Sequence, residues 1–429
     1  MDEITYDMIK HLPQIGKQIL IYCYNFFLRY IVIPREWNNF CIFPIRKPGK
    51  MPDQASSYRP IALSCVPRKI FEQILSKRLQ FFLERNHNWP QSQFGFRKGY
   101  NTTYNATVLI TDIFLAFTRN QIVEALFLDL YRAYDSVIPN ILIETMSLYT
   151  IPPSFQQIVY KLITNRIITL HPICNNTAQR ITSIGLPQGS SISPILYILY
   201  TGHLDTLPLN SARILQYADD IILYTTVPRS KLLQSPKSDL QDDLNVIKSW
   251  LDKRGLTLNN DKIQYLVFKR GGKYPAKMVS IEGKRILPMQ QAKYLGLILD
   301  PQLTWKQQLH SVIEKISQSQ PIFKYLAGRW WGAHQQTLLI IYKALVQSRI
   351  DYGSILRNNV QVSIRQKLQS IVYQTQKLIS GINGNPNRRA LEVELGLIPL
   401  PLRIKKLAIK FITSLGSVTN NQLIPKIKL

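Results

Sequence analysis

Apolar residues recur along this chain with two periods. Up to about residue 300, helical spacing alternates with short β-branched runs; from Thr304 onward only the helical spacing remains. Residues 1–35 read as a helical lead-in that stops near Pro34. Phe40–Ile45 reads as a strand, broken by Pro44 and closed by the turn Lys47-Pro48-Gly49-Lys50. Pro67–Arg85 sets Ile70, Phe71, Ile74, Leu75, Leu79 and Phe82 on one face, with Lys69, Lys77, Arg78 and Arg85 off it, the stripe of an amphipathic helix. Thr102–Phe117 is helical again. A helix over Ile141–Leu148 stops at Pro152-Pro153, Ser154–Thr164 is the next, and Ile167–Ile184 offers two short strands. Ser238–Arg254 reads as a helix with Ser238 and Gln241 as a capping box and Gly255 as its stop. Ile263–Phe268 and Tyr294–Leu299 read as strands. In the last third, a Thr304/Gln307 capping box opens a helix whose Trp305, Leu309, Val312 and Ile316 stripe ends at Pro321. Helices over Gln336–Ser348, Val362–Ser380 and Leu400–Leu415 follow, with Asn383–Asn387 as a linker.

One pattern carries chemistry. The β-branched runs Arg213–Gln216 and Ile221–Tyr224 flank Tyr217-Ala218-Asp219-Asp220, which predicts a hairpin with two carboxylates at its tip. A polar turn is the ordinary reading of Asp-Asp. Adjacent like charges repel, however, so a cation is the expected neighbour, and Mg²⁺ takes one or two carboxylates together with substrate phosphates. Two further stretches favour that reading. Glu124–Leu128 is an apolar strand ending at Asp129, followed by a helix-compatible segment that carries Asp135. Gly185-Leu186-Pro187-Gln188-Gly189-Ser190 is a small-residue turn that lets backbone approach a ligand and opens an apolar helix.

Composition narrows the partner. The chain has 429 residues, 45% hydrophobic, enough for more than one subdomain. Its formal net charge of +27 points to a polyanion. The basic residues are not gathered opposite an apolar helix face, which argues against a membrane surface. Cys23, Cys41, Cys65 and Cys174 form no CxxC pair and no zinc spacing, and they read as buried, reduced thiols. Ile19–Ile33 is too short to span a membrane and carries Asn25 and Arg29. Phe94 and Phe96, in a glycine-punctuated basic loop, suit either base stacking or the core.

In order, these segments resemble the reverse transcriptase of a non-LTR (LINE-type, jockey-like) retrotransposon. The likeness extends to Phe43-Pro44-Ile45-Arg46-Lys47-Pro48-Gly49-Lys50, Ser57-Tyr58-Arg59-Pro60-Ile61-Ala62-Leu63, Gln93-Phe94-Gly95-Phe96-Arg97, Leu258-Asn259 with Lys262, and Tyr294-Leu295-Gly296. It implies an α+β right-hand polymerase with fingers, an antiparallel-sheet palm and a helical thumb. The expected divisions are a lead-in over 1–35, fingers and palm over 36–300, the thumb over 301–384 and a basic helical segment over 385–429. The resemblance puts Asp129, Asp219 and Asp220 at two Mg²⁺ ions, with Mn²⁺ as a substitute. It puts Lys47 and Arg59 on the incoming triphosphate, Tyr134 at the sugar as a gate, Gln188 and Gly189 near the nascent base pair, and Tyr294, Leu295 and Gly296 under the primer. Lys262 matches a lysine that assists pyrophosphate departure; an ordinary surface lysine is the rival there. Lys50 reads as a solvated charge and Asp135 as structural. The implied partners are an RNA template, a DNA primer and dNTPs, in an intracellular, nuclear or cytoplasmic setting without a membrane. No endonuclease, ribonuclease H or Cys/His knuckle is expected in this chain. The alternative is a catalytically inactive or domesticated remnant that binds RNA through its phosphates.

Overall fold

The computed structural model describes residues 3–170, 179–229, 238–271, 277–328, 332–357, 360–416 and 422–423. Its centre is an antiparallel sheet of four strands in the order Gln264–Phe268, Gln121–Leu128, Asp220–Pro228 and Arg213–Tyr217. Gln121–Leu128 is buried from Ile122 onward, because both faces of the sheet are covered. Ile122, Leu126 and Leu128 join the core that holds the helices Val66–Arg85, Pro139–Leu148, Pro153–Ile163 and Ser193–Thr201. Val123, Ala125 and Phe127 point the other way, into a core built on the helix Thr102–Thr118. The period of two therefore survives in the packing although every position is apolar or buried. Each large aliphatic side chain buried here contributes about 1.5–3 kcal/mol.

A second sheet orders Tyr58–Leu63, Asn39–Arg46, Arg166–Leu170 and Gln179–Thr182. Pro44 does not break its strand. It faces Pro60 in antiparallel register, and Arg166–Leu170 pairs only with Asn39–Ile42 on the other side. Proline is tolerated where its missing N–H would point to an open edge. Past residue 305, the helices Lys306–Leu326, Gln335–Tyr342 and Val362–Ser380 close a third core of their own, which also takes in Leu391, Leu395 and Leu400. Among the described residues the last helix is Leu400–Leu415. Among the described residues no helix is long and apolar enough to cross a membrane.

Several expectations change. Tyr294–Leu299 is not one strand but a hairpin of Ala292–Tyr294 and Leu297–Leu299. Leu295 at φ +45° and Gly296 at φ +79° make the two-residue loop, the double positive φ of a type I′ turn. Pro321 lies inside Lys306–Leu326 rather than ending it. Neither capping box forms. The Asp300 carboxylate accepts from the N–H groups of Gln302, Thr304 and Trp305, and Trp305 sits at φ +61°. Ser238 Oγ donates to Glu124 and accepts from Leu240 N, while the Gln241 amide pairs with the Ser280 backbone, so that helix begins only at Gln241. The segment after Asp129 is not helical: Leu130-Tyr131 pairs with Thr257-Leu258 and a turn follows. Gln335–Tyr342 widens into a π-helical turn over Lys343–Gln347 and ends in Ser348–Asp351. Cys23, Cys41 and Cys65 are half-buried, not buried, and Cys174 lies outside the described residues.

Candidate active site

Strand pairing builds the acidic centre. Leu128 is paired with Ile221, so Asp129, one step beyond the first strand, lies beside Asp220, which opens the second. Tyr217 pairs with Asp220, leaving Ala218-Asp219 as a two-residue loop. The three carboxylates, up to 91 residues apart in sequence (220 minus 129), thus share one sheet end. Asp129 is fixed from one side. Asn259 Nδ2 and Lys262 Nζ each donate to its Oδ2 at 3.0 Å, and Asn259 N donates to its main-chain oxygen at 2.8 Å. The Lys262–Asp129 pair is partly open to solvent and so adds little stability by itself.

The electrostatics follow from that crowding. The Asp219 and Asp220 side chains reach solvent on the cleft side, yet the sheet walls them from behind. This desolvation pushes the Asp220 carboxyl up to about 6, and the charges of Asp219 and Asp129 add to the rise. Asp219 is raised as well, first by desolvation and then by Asp129, while Lys262 and Arg59 pull it back. Among the described residues no three His, Cys, Asp or Glu side chains close into a ready metal cage. The donor set nevertheless fits a divalent cation of the Mg²⁺ kind. It offers hard oxygens whose mutual repulsion a cation relieves, and such an ion completes its shell with water and phosphate oxygens.

Two hollows meet at Asp129 and Lys262, which line both. The larger, of 890 Å³, is walled by Lys47, Lys50, Arg59, Tyr134, Gln188, Gly189 and Asp219. The smaller, of 390 Å³, is walled by Asp220, Lys293 and Tyr294. The triphosphate, sugar and base-pair residues expected from the sequence therefore surround one cleft, and of the three expected primer residues Tyr294 borders the other. Lys50, read as a merely solvated charge, also lines the first cleft. Lys47 Nζ is turned aside, donating to Ser56 O at 2.8 Å.

The Gln188-Gly189 turn is gripped from two directions. Ala62 N donates to Gln188 O at 2.6 Å across from the second sheet. Glu72, fully buried, accepts from Ser190 Oγ at 2.7 Å and from Ser191 N at 3.1 Å, and is itself paired with buried Arg68 at 2.7 Å. Gln188 Nε2 donates to Asp135 Oδ1 at 3.2 Å, so Asp135 has a structural partner. Tyr134 stacks on buried Tyr197, ring centroids 4.8 Å apart and planes at 16°. Burial and the charge of Asp219 both drive its hydroxyl pKa upward, keeping it neutral. Tyr134 is thus both a core neighbour and a wall of the cleft. Tyr294 is buried against Phe127 and donates to Asn105, so its ring is core, while Leu295 O accepts from Tyr352 OH. Phe94 is buried against Tyr100 and Tyr104, but Phe96 is half exposed, which splits a pair that the sequence left open. The roles of Asn259, Glu72 and Arg68 were missed. Asn259 stood inside a matched segment, but nothing in its spacing revealed the bond to Asp129.

The family model described as "Reverse transcriptase (RNA-dependent DNA polymerase)" matches residues 45–299. The chain is 28% identical over 336 residues to the Drosophila melanogaster protein named "Probable RNA-directed DNA polymerase from transposon BS", covering 77% of this chain and 37% of that one. It is 27% identical over 430 residues to the Drosophila melanogaster RNA-directed DNA polymerase from mobile element jockey, covering 96% of this chain and 45% of that protein. The chain thus spans less than half the length of these relatives. Among solved structures, apo telomerase from Candida tropicalis superposes with a TM-score of 0.45 at 12% identity, over 96% of this chain and 73% of that one.

Proposed function

Since the chain belongs to the reverse transcriptase (RNA-dependent DNA polymerase) family, we propose that it extends a DNA primer on an RNA template with dNTPs, as part of a non-LTR retrotransposon. The observation that carries this reading is the single cleft. Asp129 and Asp219 share it with Lys47, Arg59, Tyr134, Gln188, Gly189 and Lys262, and Asp220 opens the adjoining hollow. In this reading Asp129, Asp219 and Asp220 hold two Mg²⁺ ions. When bound, such ions acidify the primer 3′-hydroxyl and offset charge on the transferring phosphate. The rest is done by the chain. Lys47 and Arg59 draw in the triphosphate, the Gln188-Gly189 turn supports the nascent base pair, and the Tyr134 ring lies below the sugar. Lys262 holds the Asp129 carboxylate by its hydrogen bond and, lining the same cleft, would face the departing pyrophosphate. The Tyr294-Leu295-Gly296 turn supports the primer end through its backbone. Fingers and palm occupy about residues 36–300, and the helices of 301–384 grip the duplex as a thumb. The setting is intracellular, in nucleus or cytoplasm.

The test is extension of a DNA primer on an RNA template by purified protein with dNTPs and Mg²⁺. Asp219→Asn keeps the size of the side chain and removes the charge that balances the cation. Extension should fall by orders of magnitude while RNA binding stays near the parent's. An Asp219→Asn protein that extends as well as the parent overturns the assignment. A parent that binds RNA and never extends favours a non-catalytic remnant.

A further inference from the structure

Gln93 lies outside the cleft, yet its side chain is fully buried and directed at the loop that carries Asp219. Its Oε1 accepts from Ala218 N at 2.8 Å, and its Nε2 donates to Ala218 O at 3.1 Å. Both peptide groups of one loop residue are therefore paired by a single amide, as a neighbouring strand would pair them. The same Oε1 also accepts from Gly95 N at 3.0 Å. The backbone around Gln93 is docked on the adjoining strand: Gln216 N donates to Ser92 O at 2.7 Å and Phe94 N to Gln216 O at 3.0 Å. Gly95 lies so close to the loop that a Cβ there would be 2.5 Å from Ala218 N.

The loop needs such support. Ala218 sits at φ +58°, the positive φ that a two-residue hairpin loop demands at its first position and that glycine usually supplies. Arg213–Tyr217 is an edge strand, so among the described residues no further strand of the sheet continues past it. An alanine in this conformation, at a sheet corner, drifts unless its peptide groups are pinned. We infer that Gln93 is a positioning residue for the reaction: its amide clamps Ala218 and thereby fixes where the Asp219 carboxylate points. This deepens the polymerase reading and rests on it. Gln93 touches no reacting atom, so its removal should act on kcat and on cation activation, and hardly on the capture of substrate.

The test combines kinetics with amide hydrogen exchange on Gln93→Ala, Gln93→Glu and the double variant Gln93→Ala with Ala218→Gly. In Gln93→Ala, kcat should fall roughly 10- to 100-fold, the scale expected of a small misplacement of a reacting group. KM for dNTP and primer–template affinity should stay near the parent's. The Mg²⁺ concentration for half-maximal rate should rise. Gln93→Glu keeps the shape and the acceptor but sets an oxygen against Ala218 O, so it should also lose kcat. Ala218→Gly accepts the positive φ without strain and should restore part of the rate lost in Gln93→Ala. A destabilised core would not be rescued from that position. Independently of activity, the Ala218 N–H should exchange roughly threefold to tenfold faster in Gln93→Ala, as expected from a lost hydrogen bond. Should Gln93→Ala not fold, Gln93→Leu, which fills the same space without an acceptor for Ala218 N, carries the same readouts. A parent that does not extend primers sinks the polymerase reading, whereas the exchange arm still decides the clamp. Unchanged exchange at Ala218 in a folded variant that lacks the acceptor, or a rise in KM with kcat untouched, overturns it.

Discussion

Replacing Gly189 by alanine adds one methyl group and removes no functional group, so its effect reports geometry alone. Gly189 has φ +115°, a region that residues with a Cβ avoid. A Cβ there would lie 2.9 Å from Ala62 O and 3.4 Å from Ile61 Cγ2. Neither side yields easily. Ala62 O belongs to the backbone of Tyr58–Leu63, whose Ala62 N–H already donates to Gln188 O at 2.6 Å. On the far side, Ser190 and Ser191 are tied to buried Glu72. Holding a non-glycine residue in such a region costs about 1–3 kcal/mol. At about 1.36 kcal/mol per factor of ten, that is roughly 5- to 160-fold. The strain has two outlets. If the turn stays, the folded state is destabilised by that amount. If it shifts, Gln188 leaves its place in the cleft and kcat/KM for dNTP falls by the corresponding factor. Thermal melting and steady-state primer extension, run side by side on Gly189→Ala, should together show a loss of this size. Melting temperature and kcat/KM both at the parent's level would refute the reasoning.

Three other outcomes are expected. Tyr134→Val removes the stack on Tyr197, worth about 0.5–1.5 kcal/mol, and should raise rNTP incorporation relative to dNTP; an unchanged ratio of kcat/KM values in a folded variant means Tyr134 is no gate. Tyr352→Phe frees Leu295 O and should weaken primer–template binding more than dNTP binding, which a titration with labelled duplex decides. Desolvation first, then Arg254, lowers the pKa of His203 below its usual value, with Asp205 opposing. The folded state therefore prefers the neutral ring. That stability is present above the unfolded pKa of about 6.5 and is lost as pH falls through the folded value. Melting temperatures of the parent and His203→Gln between neutral pH and about pH 5 should shift against the parent on acidification; a constant difference contradicts this.

Much of this was legible along the chain. Val362–Ser380 and Leu400–Leu415 have the predicted bounds, because their apolar stripes are regular and Gly381 stops the first. The Asp219-Asp220 hairpin was legible because two β-branched runs leave a two-residue loop between them. Local signals failed where a distant side chain won the competition. Asp300 takes the Thr304 N–H that the Gln307 side chain was expected to cap, and Ser238 is drawn to Glu124, 114 residues earlier in sequence (238 minus 124). Tyr294–Leu299 looked continuous because its apolar run conceals a tight turn at Leu295-Gly296. The carboxylates were named from residue type and order and the other residues around the cleft from the family resemblance, but Glu72, Asn259 and Gln93 act through bonds to backbone or carboxylates far along the chain. No periodicity encodes those.

The position of Gln121–Leu128 between two later strands has a consequence for synthesis. This strand leaves the ribosome before either neighbour: Asp220–Pro228 begins 92 residues beyond Leu128 (220 minus 128), and Gln264–Phe268 later still. At about 5–20 residues per second, the first partner arrives roughly 5–20 s afterwards. Throughout that interval a nearly uncharged segment, Ile122–Leu128, has two unsatisfied edges and no sheet. Helix Thr102–Thr118, made just before it, is the available cover for one face. Nascent or truncated chains that stop short of Asp220 are therefore the forms most prone to aggregate, by edge-to-edge pairing of this strand.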